Sequence, residues 1–203
     1  MINTLFLDIG GVLLTNGWGH ESRQRAANHF NVAYDEINFP HEFIYNIYEI
    51  GKITLTEYLD TIVFSKPRNF THQQFFEFMV QESKELPYLK EWLIDWKKTS
   101  GCKIIAINNE GKELNHYRIQ KFQLKNVFDA FVSSCEVGMR KPDPGIFRLA
   151  LGIAQSKPEE CVYFDDRPML VSAAAKTGIN AYHHVSFEQT KNIIENLIEP
   201  AHK

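Results

Sequence analysis

Three carboxylates and one ammonium group stand at the ends of short apolar runs, where a folded sheet would gather them. Asp8 closes the run that opens the chain, and Asp165 and Asp166 close the run CVYF. Adjacent carboxylates repel unless a cation or a base offsets them. Mg²⁺ answers that demand, because it takes hard oxygen ligands and is commonly held by one or two carboxylates together with a substrate phosphate. Lys141, in GMRKPDP, offers a point charge suited to a phosphoryl group or to holding a carboxylate in place. Asn108 and Asn109 follow the run KIIAI, so their amides and the N–H groups of the next helix could receive phosphate oxygens. Gly10 and Gly11 allow a tight turn whose N–H groups face an anion. Taken singly, each has a plainer reading. Asp8 could cap a turn, Asp165-Asp166 could be a solvated acidic turn neutralised by Arg167, Lys141 could be a surface lysine, and Asn108 to Glu110 could be a capping turn.

The elements that must position these groups follow from the apolar pattern. Short β-rich runs recur at 3–8, 103–107, 129–133, 161–164 and 179–182, and helix-like segments separate the later ones. This is the pattern of an α/β protein with a Rossmann-like parallel sheet and crossover helices, expected near 87–99, 111–122, 144–153, 168–177 and 187–198. Asp143-Pro144 supplies an N-cap carboxylate and a first-turn proline, and Gly101 and Gly178 sit where helices should stop. In open parallel sheets ligands bind beyond the carboxyl ends of the strands, which is where the polar residues above fall.

Residues 16–86 break the pattern, with no convincing buried strand and many aromatics at helical spacing. They read as a helical insertion, giving a core domain of 1–15 and 87–203 and a cap domain of 16–86. Phe43, Ile44, Ile47 and Tyr48 suggest one helix, and Thr56, Tyr58, Leu59, Ile62 and Val63 a second; Thr71 looks like the N-cap of a third. These apolar stripes are assigned to packing within the insert. Only the tail after Pro200 reads as dispensable.

Composition excludes more than it assigns. Lys and Arg number 22 against 25 Asp and Glu, a net charge of −3, so nothing general favours nucleic acid or an anionic membrane surface, and any anion site must be local. No apolar run approaches the roughly 20 residues of a membrane-spanning helix, and a cytoplasmic location is the default expectation. Cys102, Cys135 and Cys161 are spaced as buried reduced thiols rather than as metal ligands, and the eight histidines show no ligand spacing.

In combination, DIGGV at 8–12, INN at 107–109, RKPDP at 140–144 and FDDR at 164–167 resemble the haloacid dehalogenase superfamily, in particular its phosphatase-like members with a helical cap inserted after the first motif. The resemblance implies a hydrolase in which Asp8 is a nucleophile forming an aspartyl-phosphate, assisted catalytically by Lys141 and Asn108. It implies Mg²⁺ held by Asp8, the Gly10 carbonyl and Asp166, with Asp165 supporting them from behind. Gly10, Asn108, Asn109 and Lys141 would meet the phosphate of a small phosphorylated substrate.

Two positions depart from the family pattern. Asn108 stands where relatives carry Ser or Thr, and Gly10 where many phosphatases carry a second aspartate that protonates the leaving group. Loss of that acid would cost roughly 10²–10⁴ in rate unless replaced. His20, Glu21, Glu49 and Glu110 are the candidate replacements, and Trp18, Tyr45, Tyr48 and Glu49 the candidates for substrate choice. Two other readings remain: a halide-releasing hydrolase on the same nucleophile, and a weakened member that binds a phosphorylated ligand or a protein partner.

Overall fold

A computed structural model describes residues 2–198; the expectation about the tail after Pro200 lies outside the described residues. In chain order the elements are β1 (Thr4–Leu7), α1 (His20–His29), α2 (Tyr34–Glu49), α3 (Leu55–Ile62), α4 (His72–Gln81), α5 (Leu89–Ser100), β2 (Lys103–Asn108), α6 (Lys112–Lys121), β3 (Ala130–Ser133), α7 (Ser134–Val137), α8 (Pro144–Ala154), β4 (Cys161–Asp165), α9 (Pro168–Ala175), β5 (Asn180–His183) and α10 (Phe187–Leu197). The strands form a five-stranded, wholly parallel sheet in the order β3-β2-β1-β4-β5.

Side chains alternate across each strand, and both faces are covered. Leu5 and Leu7 pack with Leu93 of α5 and Ile194 of α10. Phe6, Ile105 and Tyr163 pack on the other face with Ile146, Phe147 and Ala150 of α8 and Ala174 of α9. The three cysteines are buried and unpaired. The signals expected at the helix ends act as read: Asp143 accepts from the Gly145 N–H at 2.7 Å with Pro144 in the first turn, and Gly101 closes α5 in the left-handed conformation.

The chain runs outward from β1 to β2 and β3, then returns to lay β4 against the other side of β1. That reversal opens a crevice beyond the strand ends between β1 and β4, the usual ligand position in such sheets. Leu7 is in register with Phe164, and the Asp8 N–H donates to the Phe164 carbonyl at 2.9 Å. Asp8 and Asp165 are therefore neighbours by strand register alone.

Between β1 and α5 the chain folds as α1 to α4, with an apolar cluster that includes Trp18, Ile37, Tyr58, Phe75 and Met79 and is joined by Leu114 of α6. Its way out and way back are paired: the Thr15 N–H donates to the Lys84 carbonyl at 2.8 Å and the Leu86 N–H to the Leu13 carbonyl at 2.9 Å. Capping boxes at Thr54/Glu57 and Thr71/Gln74 start α3 and α4. The helix expected around Phe43 exists, but only part of its expected apolar stripe faces inward. Of the expected stripe, Tyr48 is buried and Ile44 packs against the insert's cluster, whereas Phe43 and Ile47, in line with Phe39, are exposed on the outer face, so only half of it packs within the insert. α1 carried no signal in the sequence, because HESRQRAANH is polar and its N-cap is Gly19, which has no side chain to mark the start.

Candidate active site

The cis-linked Lys141-Pro142 loop before α8 brings Lys141 to the strand ends. Its Nζ lies 3.0 Å from Asp8 Oδ2 and 2.7 Å from Asp165 Oδ2, also donates to the Tyr163 hydroxyl at 3.0 Å, and has no solvent exposure. Breaking a buried charge pair of this kind typically costs about 3–5 kcal/mol, because the partner is left unpaired away from water. Asn109 fixes the loop: its side-chain amide donates to the Lys141 carbonyl and accepts from the Lys141 N–H, each at 2.9 Å.

The three carboxylates are differently engaged. Asp8 accepts from the Ile9 N–H at 2.7 Å, and burial pushes its carboxyl up to about 6 even though Lys141 pulls the other way. Asp165 has both oxygens occupied, Oδ2 by Lys141 and Tyr163 and Oδ1 by the Arg167 N–H at 2.9 Å. Burial opposes its ionisation, but the charge and hydrogen bond of Lys141 together with Tyr163 hold it below the ordinary carboxylate range. Asp166 Oδ2 accepts from the Asn16 amide at 3.1 Å, whereas its Oδ1 is buried with no protein partner. Asp8, Asp165 and Asp166 each present one oxygen within 4.8 Å of the others. A buried, unsatisfied carboxylate oxygen inside such a triad is what a hard divalent cation would satisfy, so these residues fit Mg²⁺. Gly11 makes the approach possible: its φ is +70°, and a Cβ there would stand 2.2 Å from Asp166 Oδ2.

A cavity of about 250 Å³ opens above Asp8, lined from the sheet side by Gly10, Asn109, Lys141 and Arg167 and from the insert by Trp18, Arg23, His41, Tyr45 and Glu49. Of the residues expected here, Asn108 is not brought in. Its amide donates to Asn115 at 3.0 Å and accepts from Ser133 at 2.8 Å, so it is spent in a buried network beneath the cavity floor. Tyr48 is likewise turned away: its ring stacks on Tyr58 and rests against Gly111, where a Cβ would come within 2.1 Å.

The acid candidates also separate. Glu21 is exposed beside Arg25, outside the cavity, and His20 is on its rim. Glu110 is wholly engaged, pairing with Arg118 at 2.7 Å and accepting from Tyr45 and the Gly111 N–H. Glu49 stands at the end of α2 with Arg140 Nε 2.6 Å from its Oε2, off the direction of the N–H, so that oxygen has no hydrogen bond. Burial, against the pull of Arg140 and with some help from Glu110, raises its carboxyl to about 7. Arg140 and Lys141 are consecutive and reach opposite carboxylates, Glu49 from the insert and Asp8 from the sheet. The sequence had given no signal for Arg23, His41, Arg118 or Asn16 in the site, since each lies in a segment of ordinary polar composition.

The chain is similar to known proteins in sequence and in fold. A model of haloacid dehalogenase-like hydrolases matches residues 2–178. Bifunctional epoxide hydrolase 2 of Mus musculus is 34% identical over 104 residues, 49% of this chain and 19% of that protein. The phosphorylated carbohydrates phosphatase of Thermotoga maritima is 30% identical over 114 residues, 55% of this chain and 52% of that protein. The matches thus span from a fifth to about half of these relatives. Among solved structures, a HAD family enzyme from Bacteroides thetaiotaomicron in complex with magnesium and inorganic phosphate superposes with a TM-score of 0.76 at 22% identity, over 91% of this chain and 95% of that one. The fold, the parallel sheet and the matched residues agree: the chain belongs to the haloacid dehalogenase-like hydrolase family.

Proposed function

We propose that the protein is a Mg²⁺-dependent phosphatase acting on a small phosphorylated metabolite through an aspartyl-phosphate on Asp8. The observation that carries this reading is the unsatisfied, buried Oδ1 of Asp166 beside Asp8, with Lys141 neutralising Asp8 from the opposite side. When bound, the metal ion would screen the charge between carboxylate and phosphoryl oxygens. Asp8, Asp166 and the Gly10 carbonyl would hold it, and Asp165, with both oxygens occupied, would keep Lys141 in line. The relatives that include a phosphatase, and the structural neighbour holding magnesium and phosphate, support the assignment.

In this scheme an Asp8 oxygen forms a bond to phosphorus as the bond to the ester oxygen breaks, and the departing alcohol takes a proton. With glycine at position 10, Glu49 supplies that proton from the insert side of the cavity and later takes one from the water that attacks the aspartyl-phosphate. Residues 16–86 act as a cap over a core of 1–15 and 87–203, excluding bulk water from the reacting groups. A panel of phosphate monoesters assayed with Mg²⁺ tests the reading. Phosphate release that EDTA and Asp8→Asn both abolish is the expected result; no release from any ester, or release that Asp8→Asn leaves untouched, removes it.

A further inference from the structure

The cations lining the cavity pair with carboxylates except for two. Arg118 meets Glu110 at 2.7 Å, Arg140 meets Glu49 at 2.6 Å, and Lys141 meets Asp8 and Asp165. Arg23 and Arg167 line the same cavity, and among the described residues neither has a carboxylate within 4.0 Å. Arg23 is the informative one, because it is only 8% exposed and arginine is almost never buried without a paired anion.

Its guanidinium is anchored from behind by neutral groups alone. Nε and Nη2 donate to Asn38 Oδ1 at 3.1 and 3.0 Å, and Nη1 donates to the Trp18 carbonyl at 3.2 Å. By count, one N–H on each terminal nitrogen is left without a protein acceptor, the number that a carboxylate accepts from an arginine. His41 adds a donor. The Tyr58 hydroxyl accepts from Trp18 Nε1 at 2.8 Å, and the acceptor in reach of its own proton is His41 Nδ1 at 2.6 Å. With the Tyr58 proton directed to Nδ1, the imidazole proton is assigned to Nε2, which makes no hydrogen bond within the described protein, while the ring lines the cavity. Burial, and secondarily the charge of Arg23, hold this histidine down at about 3, so it remains a neutral donor across physiological pH.

We propose that Arg23 and the His41 Nε2–H form a second anion subsite, so that the substrate is a phosphate ester whose alcohol portion carries a carboxylate. The proposal rests on the phosphatase reading, in which the phosphoryl group sits at Asp8 and Lys141 and the rest of the ester must fill the cavity between them and the insert. A second anion there is neutralised by a guanidinium already stripped of water and oriented, so little reorganisation opposes binding.

Calorimetric titration of the full chain in Mg²⁺ with inorganic phosphate, ethylphosphonate, phosphonoacetate and methylenebisphosphonate tests it. Phosphonoacetate is expected to bind roughly 10- to 100-fold more tightly than ethylphosphonate, a charged hydrogen-bond pair's worth of preference. Arg23→Gln should erase that preference, and Arg23→Lys, which keeps the charge but not the planar fork and guards against a folding defect, should reduce it. Equal affinity for the two phosphonates with phosphate binding intact, or a preference that both variants retain, overturns the subsite alone. Tighter binding of methylenebisphosphonate than of phosphonoacetate overturns the carboxylate assignment. Failure of inorganic phosphate to bind defeats the phosphatase reading and this proposal with it.

Discussion

Glu49 illustrates how a single residue's chemistry depends on where its helix ends. Facing it are Arg140 from the loop before α8, Glu110 from the loop before α6 and Arg167 from the loop before α9, and burial outweighs the two cations to leave its carboxyl at about 7. A carboxyl whose folded value is raised keeps its proton to higher pH, so the acid-competent form dominates below about 7 and is lost above it. Hydrolysis of an alkyl phosphate should therefore decline as the pH rises through 7, and Glu49→Gln should lower its rate about 10²-fold and flatten that limb. An aryl ester with a good leaving group needs no proton, and its phosphorylation step should be little affected by the same substitution. Equal losses on both esters, read from pre-steady-state bursts, would remove Glu49 from the acid role. The sequence placed Glu49 among four candidates without ranking them, since rank depended on which carboxylates found partners. Glu110 found three; the Oε2 of Glu49 found only the misaligned Arg140.

At the scale of elements, the turn after β1 sets the distance between Asp8 and Asp166. Gly11 has φ +70°, and its missing Cβ is occupied by the Asp166 carboxylate. Gly11→Ala would add left-handed backbone strain of about 1–2 kcal/mol and displace Asp166 as well. The expected outcome is a loss of stability of that order in urea denaturation together with at least a tenfold weaker Mg²⁺ affinity by calorimetry. A variant that binds Mg²⁺ normally would show that Asp166 does not serve the metal. Strands, α5, α8 and α4 of the insert were legible because β-rich runs and the Asp143-Pro144, Gly101 and Thr71 signals are local. α1 was not, since a polar helix without a side-chain cap is held by its neighbours: Ala26 and Ala27 are buried only because α2 and α4 cover them. The facing of α2 was read only in part, Ile44 and Tyr48 packing inward and Phe43 and Ile47 not, for a related reason. Phe39, Phe43 and Ile47 make as apolar a stripe as Ile37, Ile44 and Tyr48, and composition alone does not say which one meets the rest of the insert.

For the molecule as a whole, the proposed function would depend on how α1 to α4 seat against the sheet and its helices. After α2 the chain turns at Gly51, whose φ is +71° and whose Cβ would stand 2.3 Å from the Cys135 carbonyl of α7. Beside it, Ser134 donates to the Glu49 carbonyl at 2.7 Å. Gly51→Ala should force α2 away from α7, which would carry Glu49 from Arg140 and open the cavity. The measurable consequences are a destabilisation above about 1 kcal/mol and changes in kcat and KM together, with faster amide hydrogen exchange across α2. Unchanged exchange and kinetics would mean that this contact does not seat the insert. What the sequence by itself determined was a parallel α/β sheet with Asp8 and Asp165-Asp166 at the ends of two apolar runs, because such runs are local signals; the order of the strands, their register and the reversal between β1 and β4 were settled by tertiary packing. Tertiary structure alone decided that Asn108 faces inward, that Glu49 meets Arg140, and that Arg23 is buried without a counter-charge. Those outcomes depend on which side chains from distant segments compete for the same hydrogen bonds, a contest that opens only after the helices have packed.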